Sequence, residues 1–272
     1  GDVVVDNGAT LTIEPGVEIL FEPGRNDNPV YDPNFSRIQI EYGDIIAYGT
    51  VSDSIKFSVN SLSPNPGDWG GIFAHNSDPR VACYFDNVVI EYSNFGLHLD
   101  ARGGEIRNST FRFNSGRGIT CQEVISPFPI IEYNKIYSNA TGIGVFSHSA
   151  PLIKFNQIIN NGIGIDNYIN NSGGGNPYIF NNTLNNSLNF SNTTPENIDA
   201  KYNYWGPTAT TEMSAGPELR NISTIHDYFD DNSLGTVDYS QFLDAPWPGG
   251  QPVFPDTTYI TGGTISTDST WT

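Results

Sequence analysis

The chain has 272 residues, of which 12 are basic and 30 acidic, for a formal net charge of −18. That surplus of acid excludes nucleic acid and anionic membrane surfaces as expected partners, and it suits solubility and cation binding. Only 15% of the residues are charged and no apolar run is long enough for membrane insertion as a helix, so the composition reads as an extracellular or cell-surface protein with neutral polar faces.

The N-terminal third alternates apolar and polar residues. Residues Val3, Val4 and Val5 form a first short strand. Gly8 to Ile13, a Pro15-Gly16 turn and Val17 to Phe21 follow as two more, the period of two marking strands with one buried face. Ile38-Gln39-Ile40, Ile45 to Thr50, Ile55-Lys56-Phe57 and Asp68 to Ile72 continue the pattern. No stretch sustains the three-four spacing of an amphipathic helix.

From residue 85 to 190 a motif recurs about every two dozen residues. It reads aromatic, Asn, a short alternation, Asn or Ser, then Gly and an aliphatic residue. Its Asn anchors are Asn87, Asn108, Asn134, Asn156 and Asn181, and its aliphatic anchors are Leu97, Ile119, Ile143, Ile163 and Leu188. Two or three strands per copy predict one coil of a solenoid, each strand pairing with its counterpart in the next coil. Asn tolerates the left-handed region and suits the corners, and Asn94, Asn114, Asn139, Asn161 and Asn186 form a candidate side-chain ladder. The Gly before the first four aliphatic anchors, replaced by Ser187 before Leu188, suits a bend with positive φ. Leucine-rich repeats are excluded by the missing Leu lattice.

After Trp205 the pattern changes. Residues 206–220 read as a Pro/Gly/Thr-rich loop, 222–229 as a short helix or irregular cap, and Val237 to Tyr239 as a last strand. A Pro-rich linker at 245–252 leads into a Thr-rich, strand-like tail ending at Trp271 and Thr272. The expected organisation is a β-helix over 1–205, a cap and linker over 206–250 and an extended tail over 251–272. The chain starts directly in a strand, as a mature or excised polypeptide would.

Four segments carry a family resemblance: Leu11-Thr12-Ile13-Glu14-Pro15-Gly16-Val17, Ala47-Tyr48-Gly49-Thr50, Trp69-Gly70-Gly71-Ile72 and Asn203-Tyr204-Trp205-Gly206. Over about residues 1–245 the chain resembles secreted parallel β-helix repeat proteins of the pectate-lyase-like class. The implied fold is all-β: a right-handed, three-sheet solenoid of about eight or nine coils with a C-terminal cap. Handedness rests on the resemblance and on the crossover preference of parallel strands.

The resemblance also frames the function. In similar proteins a segment like Thr264, Ile265 and Trp271 leads into a new helix that starts like Val3 to Val5. One copy's tail therefore has a docking place on the first coil of the next copy, which predicts a head-to-tail homopolymer, an extracellular fibre or surface assembly. Lyases and glycosidases of the class use calcium, Arg or Lys bases, or paired carboxylates on an outer face. The outward candidates here are Glu91, Asp100, Glu105, Arg107, Arg112, Arg117 and Glu132, so a polysaccharide-active enzyme and a non-catalytic glycan-binding module stand as alternatives. Alternating solvated charge explains those residues equally well.

Oxygen-rich groups at Asp227, Asp230 and Asp231 and at Asp27 and Asp32 are calcium candidates, although neither has the spacing of a known calcium loop. The four histidines lack metal-ligand spacing. Asn34, Asn108, Asn139, Asn192 and Asn221 head glycosylation sequons. Cys83 and Cys121 sit at different places in their coils, so buried thiols are expected unless the corners meet as a disulfide.

Overall fold

A computed structural model describes residues 1–24, 34–75, 82–100, 103–123, 128–169, 173–216 and 219–254. Twenty-five short strands and one helix make up its regular structure. The strands fall into three long parallel sheets of nine, seven and seven strands and one two-stranded sheet. Successive strands of the chain visit the three long sheets in turn, and each pairs with the strand one coil away. This is the parallel β-helix that the repeat predicts.

The nine-stranded sheet runs Val3–Val5, Arg37–Ile40, Trp69–His75, Ser93–Asp100, Arg117–Gln122, Thr141–Phe146, Ile163–Tyr168, Leu188–Asn192 and Ile225–His226. One inward column is Ile38, Ile72, Leu97, Ile119, Ile143, Ile165, Phe190 and Ile225, in register from coil to coil. The second sheet contributes Ala47, Phe85, Ile106, Ile131, Ile153 and Ile179. The third contributes Phe57, Ile90, Phe111, Ile136, Ile158 and Leu184. These side chains are buried, and β-branched residues dominate because they pack well on a pleated surface. The register corrects two of the sequence anchors. Ile165 and Phe190 continue the column, while Ile163 and Leu188 lie two residues earlier in their strands.

The corners carry two Asn columns. In one, Ser93, Asn114, Asn139, Asn161 and Asn186 are linked side chain to side chain, with Ser93 in the place expected for Asn94. In the other, Asn134, Asn156, Asn182 and Asn203 are linked in the same way, and the Ser109 backbone N–H donates to Asn134. The residues just before this second column hold positive φ: Asn108, Tyr133, Phe155, Asn181 and Tyr202. The sequence motif therefore mixes two positions, the left-handed corner residue and the ladder residue after it. Tyr and Phe are costly in that region, and ring stacking offsets the cost: Tyr133 and Phe155 stack with centroids 5.0 Å apart.

The repeated glycines serve a different purpose from the one expected. Gly96, Gly118 and Gly142 do not have positive φ. A Cβ on Gly142 would stand 2.6 Å from the Gly164 carbonyl oxygen and 2.8 Å from Ile158. Close approach of neighbouring coils is what demands glycine here.

The C-terminal end also departs from expectation. Residues Gly206–Ser214 form a helix with Pro in its first turn, where proline's missing N–H costs nothing. Ala209 and Met213 turn inward beside the buried Trp205. Of the two readings for 222–229, helix or irregular cap, the structure has the irregular one, turns around the short strand Ile225–His226. Tyr239, Phe242 and Leu243 complete a buried lid over the last coils. Trp247 then reaches back along the outside to Phe155, with ring centroids 4.7 Å apart. At the other end, Val3–Val5, Thr10–Ile13 and Glu18–Phe21 are the terminal strands of their sheets, and Val3 and Val4 are each 42% exposed.

Candidate functional site

Alternation along the nine-stranded sheet sends one row of side chains outward: Gln39, Phe73, His98, Thr120, Gly144 and Asp166, each beside the next. Over the first four strands of this row lies a groove of about 480 Å³, lined among others by Arg37, Gln39, Phe73, His75, His98 and Asp100. The Arg37 guanidinium lies 4.6 Å above the Phe73 ring. The other side of the row continues with His98, stacked on Phe73 at 5.2 Å and 18°. Two residues on in the same strands, His75 Nδ1 and Asp100 Oδ2 are 2.7 Å apart.

The floor is polar and only partly paired. Of the lining residues, the Gln39 side-chain oxygen and His98 Nδ1 are buried without a protein partner. Unpaired buried polar atoms are uncommon and call for an explanation. Burial holds His98 neutral, lowering its pKa to about 4 against the pull of nearby Asp100, while Gln122 bonds the ring.

Elsewhere the weighed outer carboxylates Glu91, Glu105 and Glu132 are paired with basic groups. Glu91 accepts from Arg112 Nε at 2.7 Å and Ser58 Oγ at 2.9 Å, with Lys56 Nζ at 3.3 Å. Burial opposes its ionisation, but the bonds from Arg112 and Ser58 together outweigh this and lower its pKa. Glu132 stands between Arg107 at 2.7 Å and Lys154 at 3.2 Å, and Arg107 also meets Glu105 at 3.2 Å. Arg107, Arg112 and Arg117 belong to three different sheets, so they do not converge as one basic cluster. Only Asp100 among the weighed acids lines the groove.

The remaining sequence candidates are dispersed. Asp227 is buried and accepts the N–H groups of Phe229 and Val237. Asp230 accepts the N–H of Asp227, and Asp231 caps Ser233. These carboxylates hold turns together, and no group of three or more His, Cys, Asp or Glu residues fit to hold a metal occurs among the described residues. Asp27, Asp32, Thr264, Ile265 and Trp271 lie outside the described residues. Asn139 and Asn192 are buried with their amide nitrogens donating hydrogen bonds. Neither offers that nitrogen to a glycan, which corrects two sequon assignments. Asn34, Asn108 and Asn221 are exposed. Cys83 and Cys121 are buried in different sheets and are not joined as a disulfide. Among the described residues no helix is long and apolar enough to cross a membrane.

A protein-family model described as "Periplasmic copper-binding protein (NosD)" matches residues 3–219. The chain belongs to the NosD family. No curated protein and no solved structure matches it. Membership accounts for the solenoid and its pectate-lyase-like fold. The copper in the family's description finds no set of ligands among the described residues of this NosD-type chain. Copper sites draw on imidazole, thiolate and thioether groups, and the chain has four His, two Cys and one Met. Cys83, Cys121 and Met213 are core residues, and burial raises the Cys121 thiol far above its ordinary value. His148 and His226 lie on other coils from the His75 and His98 pair. The described residues do not fit a copper centre.

Sequence reasoning missed this groove. Gln39, Phe73 and His98 look like ordinary outward strand residues, and their alignment exists only through a coil-to-coil register that no single strand reveals.

Proposed function

We propose that this NosD-family protein is a non-catalytic β-helix module, working in the periplasm or beyond it, that binds a polysaccharide along the outer face of its nine-stranded sheet. The groove carries this reading. A ligand rich in hydroxyls supplies partners for the Gln39 amide and the His98 ring as those side chains turn, and Arg37, His75 and Asp100 line the same groove with polar groups that can bond sugar hydroxyls. Of the two carboxylates that line the groove, Glu41 and Asp100, Asp100 is engaged by His75 at 2.7 Å, which favours binding over hydrolysis, since a glycosidase needs two available carboxylates. Calorimetric titration with a panel of neutral oligosaccharides tests it. Gln39→Ala should weaken the best ligand about tenfold, the worth of roughly one good hydrogen bond. Unchanged affinity in that variant, or no binding across the panel, rejects the groove as the site.

A second reading, head-to-tail assembly, is favoured by the contrast between the two ends. The C-terminal coils lie beneath the Trp205, Met213 and Phe242 lid, so coils cannot stack directly on both ends. The edge of Val3–Val5 offers unpaired backbone groups to an added strand. In this reading the strand-like part of the tail, residues 258–272, supplies that strand to the next copy. Fibres seen by negative-stain electron microscopy should vanish when 258–272 are deleted, and persistent fibres from the truncated chain reject the joint.

A further inference from the structure

The second sheet turns two rows of side chains outward. The row beside its corner is Tyr48, Asp86, Arg107, Glu132, Lys154 and Phe180, each in register with the next. Its four charges alternate, acid then base, and interlock within the chain: Arg107 Nε and Lys154 Nζ lie 2.7 Å and 3.2 Å from the two Glu132 oxygens. Two residues earlier in the same strands stand Ile46, Tyr84, Glu105, Ile130, Leu152 and Tyr178. All but Glu105 are aliphatic or aromatic, four of them half-buried and Tyr178 exposed. The two rows make a strip about 24 Å long at the usual strand spacing. Along the corner it is bounded by the stacked Tyr133 and Phe155 rings and by Trp247. The charged row sums to zero in a chain of net charge −18, so this row is spared the repulsion that the chain as a whole offers a second copy.

We infer that two copies of this chain pair through the strip, side by side and antiparallel, as a two-fold dimer. A two-fold axis parallel to the strands reverses the order of the coils and lays each row on its own kind. The order acid, base, acid, base is its own complement on reversal, as an isologous contact requires. With the axis between the strands of Arg107 and Glu132, Arg107 faces Glu132 of the second copy and Asp86 faces its Lys154. The four central charges then form a square in which every neighbour is opposite in sign. The rest of the strip matches too: Tyr48 meets Phe180, Ile46 meets Tyr178 and Tyr84 meets Leu152. Glu105 alone stands against an apolar residue, Ile130, and it already leans to Arg107 at 3.2 Å. A slip of one coil would set Arg107 against Lys154 and Glu132 against its own twin, so the charges fix the register. An axis parallel to the rod would lay the charged row on the apolar one. The Glu132 side chain is only 10% exposed before any pairing, so most of its desolvation is complete on folding. The strip is small for a specific interface, and the pair is therefore weak, dissociating at micromolar concentration or above. It lies on a different sheet from the groove, which pairing leaves open.

Energy transfer between donor-labelled and acceptor-labelled copies of the full chain tests the pair, from micromolar to submillimolar concentration in physiological salt. The wild type should show transfer that rises with concentration. Lys154→Glu sets an acid against Asp86 of the second copy and should weaken self-association about tenfold. Asp86→Lys sets a base against the second copy's Lys154 and should do the same. The two variants mixed one to one should associate as tightly as the wild type, because every charge in one row then meets its opposite in the other. End-to-end growth cannot imitate this pattern: neither substitution touches the Val3–Val5 edge, so it would give equal transfer in each variant alone and in the mixture. Wild-type copies without transfer at any concentration overturn the pairing. So do variants that each self-associate like the wild type, and a mixture that fails to associate. Tyr178→Lys changes an exposed side chain and decides the point if the charge variants do not fold: it should weaken association several-fold, and unchanged association overturns the pairing.

Discussion

At the scale of single residues, the outer face of the nine-stranded sheet keeps polar groups in an environment that discourages charge. His98 is the sharpest case, held neutral by burial down to about pH 4 against an ordinary value of 6.5. Between those values the unfolded chain binds a proton that the folded chain refuses. Stability therefore falls as pH drops through this window, by on the order of 3 kcal/mol for this one group. Thermal melts from pH 7 to pH 4 should show a steeper decline for the wild type than for His98→Gln, and parallel curves would show that burial of His98 is not what resists the proton. None of this was legible in the sequence, where His98 is one of four scattered histidines. Its burial depends on Phe73 and Phe146, which belong to other coils.

At the scale of elements, the corner ladders do the work that turns do elsewhere. Asn161 donates to the Ile136 carbonyl at 3.0 Å and to Asn186 Oδ1 at 2.9 Å. Its own Oδ1 accepts from the backbone and side chain of Asn139, each at 3.0 Å. Asn161→Ala leaves several buried groups unpaired and should cost about 3 kcal/mol in denaturant unfolding. Asn94→Ala should cost under about 0.5 kcal/mol, because Asn94 stands beside the ladder and accepts one 3.3 Å bond from Ser115. Equal losses at the two positions would contradict this account. The ladder was readable in advance because Asn recurs at a near-constant spacing. The second column was harder to see: its members follow Tyr133, Phe155, Asn181 and Tyr202, residues of mixed type whose common feature is a backbone angle. The helix Gly206–Ser214 was hidden for a related reason. Its Gly-Pro start and Thr content read as loop, and only packing of Ala209 and Met213 against the last coils makes it worthwhile.

At the scale of the whole molecule, the solenoid was legible because a period of about two dozen residues with alternating strands admits few other architectures. The groove was not, because function in a β-helix lies along rows perpendicular to the chain, assembled from residues that sequence places far apart. The ladders add one more property. From Asn114 to Asn186 and from Asn134 to Asn203 each ladder amide reaches an identical amide one coil on, so each of these coils ends in the socket that the next coil begins with. The length of the rod is then an adjustable quantity. Excising Asn156 to Asn181, so that Phe155 leads straight into Asn182, should slide the remainder back by one strand spacing of about 4.8 Å and rejoin both columns. The shortened protein should still melt cooperatively and keep its groove, which lies wholly on earlier coils, whereas an excision of half a coil should not fold. A protein put together this way can gain or shed whole turns in the course of its evolution without redesigning its ends, its corners or its binding face.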